Sequence, residues 1–219
     1  MPLPVRSCLS ILAAALFLVP PSFAFQSPLS DESIREAYFL GQRHDGSFAR
    51  SLDKYAKQLP MPKSGPYIYS IAFLTPFIQL VRQSETHSGD YSAQQALLDH
   101  RGQQEVVKIQ VRIQLTPSYG ALLSEPASKG SAPILVRRPY DFWKDFQVQV
   151  STDGQQLSPS AFHGTPDSIC GRRGPCTLNG ATLELEFPPD SINSDSATIL
   201  VTPPEGEPVS VEFYLVSLR

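Results

Sequence analysis

A basic surplus is missing from this sequence: 18 lysines and arginines stand against 21 aspartates and glutamates. The slight negative balance excludes a general nucleic-acid binder, which needs excess positive charge to displace counterions from phosphates. Cysteine is scarce, with three in 219 residues. That rules out a disulfide-dense scaffold and a cysteine-rich zinc cluster. No Gly-x-Ser-x-Gly elbow, Gly-x-Gly-x-x-Gly turn or Gly-Lys-Ser/Thr loop occurs, so the local signatures of α/β-hydrolases and nucleotide binders are absent. No Asn-x-Ser/Thr acceptor occurs either: Asn179 precedes Gly-Ala and Asn193 precedes Ser-Asp. This favours a bacterial envelope or secreted protein over a glycosylated one. None of these patterns supplies a catalytic residue, a metal ligand set or a cofactor.

The one long apolar run lies at the start. Arg6 is the only charge ahead of it, residues 9–19 are apolar, Pro20 and Pro21 break it, and Ser22-Phe23-Ala24 offers small residues where a signal peptidase reads. The run is shorter than the ~20 residues of a membrane span. Residues 1–24 are therefore read as a signal peptide, which leaves no stable membrane span after cleavage and a secreted or periplasmic product. Cys8 leaves with the leader. Cys170 and Cys176 remain, close in sequence, and in an exported chain such a pair reads as a disulfide. Five residues separate them, not the two of a redox motif, and no second Cys or His pair stands near for zinc.

What is present organises itself around residues 106–116. Val107, Ile109, Val111, Ile113 and Leu115 alternate with Lys108, Gln110, Arg112 and Gln114. A period of two buries one face of a strand and wets the other. Before this stretch the pattern is mostly helical. Ser30 caps a helix over 31–40, with Asp31 and Glu32 in its first turn and Gly41 as its stop. Phe48, Leu52, Tyr55 and Leu59 recur at helical spacing and predict a second helix that ends at Pro60 and pairs with the first as a hairpin. Residues 67–74, YIYSIAFL, read as a buried strand. Thr75-Pro76 opens a helix to about 83, and 91–101 reads as another.

After residue 106 come apolar runs split by Pro, Gly, Ser and Asp. Further strands are expected at 134–136, 146–150, 183–187, 199–201 and 209–215, with a turn at Asp153-Gly154. The 21 prolines, about twice the usual ~5% share, fall mainly between the runs. The fold expected is α+β: a signal peptide over 1–24, a mainly helical N-terminal region over 25–103, and an antiparallel β-sandwich over 104–219.

Several residue groups are candidates for chemistry. His44-Asp45 lies in a glycine-flanked turn; its plainer reading is a link in which Asp45 caps the next helix. Glu85, His87 and Asp90 share a polar loop whose spacing matches no calcium pattern. His100 and His163 are isolated. Metal-dependent or other hydrolysis requires these histidines to converge in the fold. Two stretches suit binding better. Arg137, Arg138, Tyr140 and Trp143 lie in RRPYDFWKDF, where aromatic faces and charges suit stacking on sugars or peptides; the plainer reading makes Trp143 and Phe146 core. Arg172 and Arg173 lie between the two cysteines, on a short loop whose glycines bare the backbone. The function expected is an exported, non-enzymatic binding or structural protein of the envelope or medium, partnered by an envelope protein or a polysaccharide and not by nucleic acid. A hydrolase and a carbohydrate-binding module built on Trp143 and Tyr140 are the alternatives.

Overall fold

The computed structural model describes residues 25–43, 46–87, 91–125, 133–171 and 174–219. Residues 1–24, read above as a signal peptide, and His44, Asp45, Asp90, Arg172 and Arg173 lie outside the described residues. The fold is α+β, with a small helical part and mostly antiparallel sheets.

Three of the helices start where a side-chain cap dictates. In α1 (Asp31–Gly41) the Ser30 hydroxyl accepts from the Ser33 amide at 3.2 Å, satisfying one of the helix's orphan donors. Thr75 caps α3 (Pro76–Thr86), and Pro76 fills the first turn, where its missing N–H costs nothing. Ser92 caps α4 (Ala93–His100). Ile34 and Ala37 of α1 are buried, as are Phe77, Ile78 and Val81 of α3 and Ala96 and Leu97 of α4. Gly41 permits the close approach of α1 to α3: a Cβ there would stand 2.3 Å from the Val81 carbonyl oxygen.

The second helix departs from its sequence reading. α2 (Ser47–Asp53) stops after two turns, and the chain extends as β1 (Ala56–Gln58). β1 pairs antiparallel with β2 (Tyr67–Leu74), from Ala56 opposite Ala72 to Gln58 opposite Ser70. Local spacing favours helix here, but the outer edge of β2 offers backbone groups that must find partners. Burying Tyr55 at 1% exposure secures the switch. α1 correspondingly packs on α3 and α4 as its main neighbours, not on α2.

β3 (Val107–Gln114) is the centre of the larger sheet, whose order is β1-β2-β3-β9-β8 with β8 (Ala161–Cys170) and β9 (Cys176–Phe187). The alternation holds: Val107, Ile109, Val111 and Ile113 are buried. On the other face Lys108 meets Glu186 at 2.9 Å, and Gln110 donates to Glu184 at 2.8 Å. The second sheet has the order β11-β10-β6-β7, from β6 (Gln147–Thr152), β7 (Gln155–Leu157), β10 (Ser196–Thr202) and β11 (Val209–Tyr214). Asp153 and Gly154, both with positive φ, make the β6–β7 turn. Register lines up Phe73, Ile109 and Leu185 across the larger sheet. Ile199 aligns with Val150 and Val211 in the smaller one. Phe73 and Phe213 meet at 5.9 Å between centroids, so apolar faces of the two sheets touch. One buried cluster runs through the helices and both sheets.

Three strands escaped the sequence reading. β4 (Leu122–Glu125) pairs with β5 (Ile134–Arg137) in a two-stranded ribbon whose residues are largely exposed, so no alternation marks it. β7 is only three residues long. β8 borders the sheet and carries Pro166, which an edge strand tolerates because the lost amide faces outward.

Gly180 is where the main sheet is least tolerant. It lies on β9 opposite Gln114, and a Cβ there would fall 2.1 Å from the Ile113 carbonyl oxygen. Backbone cannot yield as a flexible side chain can. Gly180→Ala is therefore expected to destabilise the fold by about 3 kcal/mol, read as a lowered urea midpoint at unchanged slope.

Candidate functional site

The geometry that gathers the most candidate residues begins at a turn. Thr116 closes it, its backbone exchanging hydrogen bonds with that of Tyr119, and its hydroxyl donates to the Gly65 carbonyl at 2.6 Å. Tyr119 is thereby held inward, 2% exposed, tilted against Phe142 and edge-on to Phe146. Burial pushes the Tyr119 phenol above its ordinary pKa. Arg138 extends the ribbon ladder: its amide donates to the Ala121 carbonyl at 2.8 Å, and its Nε donates to the Gly120 carbonyl at 2.8 Å. The guanidinium carbon stands 3.5 Å from the centre of the Tyr119 ring, stacked as a cation on a π face.

Arg138 is 9% exposed, and among the described residues no carboxylate lies within ion-pair distance of it. Nor do its two terminal nitrogens take a hydrogen bond among these residues. Those two nitrogens are not sealed from solvent: the stem is buried while the charged tip stays open to an incoming group. Arg138 also lines a cleft of about 240 Å³. Ala121 and Leu122 of the ribbon form one wall. Pro175, Cys176, Thr177 and Leu178 of the β8–β9 hairpin form the other, with Arg137 and Tyr140 beside them. Tyr140 is 56% exposed.

The second wall is stapled. Cys170 and Cys176 form a disulfide and face each other in the strand register, with Cα atoms 4.0 Å apart. Closing so short a loop contributes about 2 kcal/mol through the unfolded chain. Reduction with a phosphine is expected to lower Tm by about 4–8 °C while both sheets keep their far-ultraviolet circular dichroism. A total loss of that signal would mean that the bridge holds far more than its own hairpin.

Arg137, Arg138 and Tyr140 thus join the disulfide hairpin at one cleft, although they are far from it in sequence. Trp143 lies elsewhere. It is half-buried over Gly164 of β8, where a Cβ would come within 2.2 Å of the indole, and it meets Phe162 edge-on at 5.6 Å. Tyr119, Leu122 and Leu178, which complete the cleft and its cation platform, carry no signal in the sequence.

The described histidines are apart. His87 stacks on Tyr91 at 4.2 Å, and His163 is exposed on β8. His100 Nε2 meets Glu105 at 2.8 Å. Glu105 is a structural hub: it also accepts from the Ser27 hydroxyl and the Leu29 amide, each at 2.7 Å, and so ties the segment ahead of α1 to the end of α4. Glu105→Ala is expected to cost about 2 kcal/mol and to raise amide exchange first at Leu29. Among the described residues no group of three or more His, Cys, Asp or Glu side chains is arranged to hold a metal ion. No described helix is long and apolar enough to cross a membrane.

Searched against models of known protein families, the chain matches none, and no curated protein matches its sequence.

Proposed function

We propose that this chain is an exported, non-enzymatic binding protein of the cell envelope or medium, and that the Arg138 cleft takes a carboxylate borne on an apolar side chain or chain terminus of an envelope protein. The observation that carries this reading is Arg138 itself: a largely buried arginine whose guanidinium is stacked on Tyr119 and aimed by the Gly120 carbonyl, with no carboxylate at ion-pair distance among the described residues. An incoming carboxylate provides the missing partner through charge-assisted hydrogen bonds. The cleft volume is below the roughly 300–1,000 Å³ of small-molecule sites, which favours one side chain or terminus over a run of sugar rings. The apolar wall residues Ala121, Leu122 and Leu178 suit an aliphatic group next to that carboxylate. The charge, apolar run and small residues of 1–24 support export, and the Cys170–Cys176 bridge fits an oxidising compartment.

Calorimetric titration with a short leucine-ending peptide tests the cleft. The free carboxylate form is expected to bind at least about tenfold more tightly than its C-terminal amide, with affinity falling as salt rises. Equal binding of the two forms overturns the reading, and so does a preference for neutral polysaccharide over both. For export, N-terminal sequencing of protein recovered outside the cytoplasm is expected to begin at Phe25. That residue is 5% exposed and packs on Phe73 at 6.2 Å.

A further inference from the structure

β1 borders one sheet and β11 the other. The two edges face each other across a seam, with Lys57 Nζ 6.0 Å from the centre of the Phe213 ring. One end of the seam is tied shut. Lys54 Nζ donates to the Ser217 carbonyl at 3.0 Å, the Arg219 amide donates to the Tyr55 hydroxyl at 2.9 Å, and the Thr75 hydroxyl donates to the Arg219 carbonyl. The other end opens into a cleft of about 630 Å³ between the loops at 59–66 and 203–208. Ile68 and Pro203 are buried in its floor, Val209 at the start of β11 is half-buried, and Met61 is 68% exposed on its wall.

We propose that this cleft and the open edge of β11 bind an extended segment of another protein in which apolar and basic residues alternate, adding it as a fifth strand to the smaller sheet. Three observations lead there. β11 hydrogen-bonds to β10 along one side, and among the described residues nothing pairs with its other side. An unpaired edge is a template for strand addition. The walls do not supply that pairing themselves, since Pro60, Pro62, Pro203 and Pro208 carry no N–H to donate.

The faces of β11 then fix the pattern of the ligand. Val209, Val211 and Phe213 point inward and Ser210, Glu212 and Tyr214 outward, so an added strand is apolar toward the cleft and polar toward water. Glu212 on the strand and Glu205 and Glu207 at the cleft mouth outweigh Lys63 at the cleft and Lys57 across the seam, and opposite charges across a strand pair stabilise it. The same acids disfavour a second copy of this chain, because pairing β11 with itself brings like charges together. The site shares no lining residue with the Arg138 cleft, and the proposal does not rest on that cleft.

The experiment uses the full chain and a fluorescent peptide alternating valine and lysine, followed by anisotropy. Binding is expected, with protection of the β11 amides from hydrogen exchange. A valine–glutamate peptide, and a valine–lysine peptide N-methylated on alternate residues to block pairing, are each expected to bind at least about tenfold more weakly. The double variant Glu205→Lys/Glu212→Lys changes only exposed side chains and is expected to reverse the charge preference while keeping the parent's circular dichroism. Absence of binding, equal binding of all three peptides, or self-association of the chain through β11 would each overturn the proposal.

Discussion

Phe73→Ala is expected to lower the stability of the whole chain by about 4 kcal/mol and its Tm by roughly 10 °C. The argument is geometric. Phe73 has no exposed surface. It lies on β2, in register with Ile109 of β3, and its ring touches Phe25 on one side and Phe213 on the other. Three parts of the chain therefore converge on one side chain: the segment ahead of α1, the larger sheet, and the last strand of the smaller sheet. Truncation leaves a cavity that the two sheets cannot fill without breaking their own pairing. Because one buried cluster runs through both sheets and the helices, the loss should be felt everywhere at once. Far-ultraviolet dichroism and Trp143 fluorescence are expected to report one coincident transition, displaced together in the variant. Two separated transitions, with only one displaced, would show that the helices and the sandwich unfold independently. Phe39→Ala is the control: Phe39 is 59% exposed, and its loss should stay within about 0.5 kcal/mol.

Features legible in the sequence are those whose cause is local. Alternation over 106–116 gave the central strand because β3 has a dry face and a wet one. Ser30 and Thr75-Pro76 announced their helices because capping is settled within four residues. Asp153-Gly154 announced its turn because few residues accept a positive φ, and the α+β class followed from these elements. The reading failed where a distant element decided. Residues 56–58 have helical spacing yet extend, since the edge of β2 must be hydrogen-bonded. β8 has no alternation because none of its residues is fully buried on either face. At the site, Arg137, Arg138 and Tyr140 stood out as charged and aromatic neighbours, but charge alone could not show that Arg138 turns inward onto Tyr119. That choice depends on a turn at 116–119 and on the disulfide hairpin, both remote in sequence.

The stacked guanidinium leads to a result of opposite signs for stability and binding. Arg138→Met replaces a charge by an apolar chain of similar length that adapts to the Tyr119 and Phe142 rings. It forfeits the Nε hydrogen bond to Gly120, whose carbonyl is in a half-buried turn within reach of water. It also removes a cation whose stem is buried and which has no carboxylate at ion-pair distance among the described residues. Replacing buried charge with well-packed apolar groups is commonly neutral or stabilising, so urea unfolding should find the variant at least as stable as the parent, to within about 1 kcal/mol. Affinity for the carboxylate peptide should meanwhile fall about a hundredfold, the usual consequence of removing one member of a buried charge pair. Arg138→Lys separates charge from shape: an ammonium keeps the attraction but loses the planar stack and the two-pronged contact, and should recover only part of the affinity. If Arg138→Met unfolds the protein, the guanidinium is a structural strut over Tyr119. If it binds the peptide as the parent does, the carboxylate does not meet this arginine.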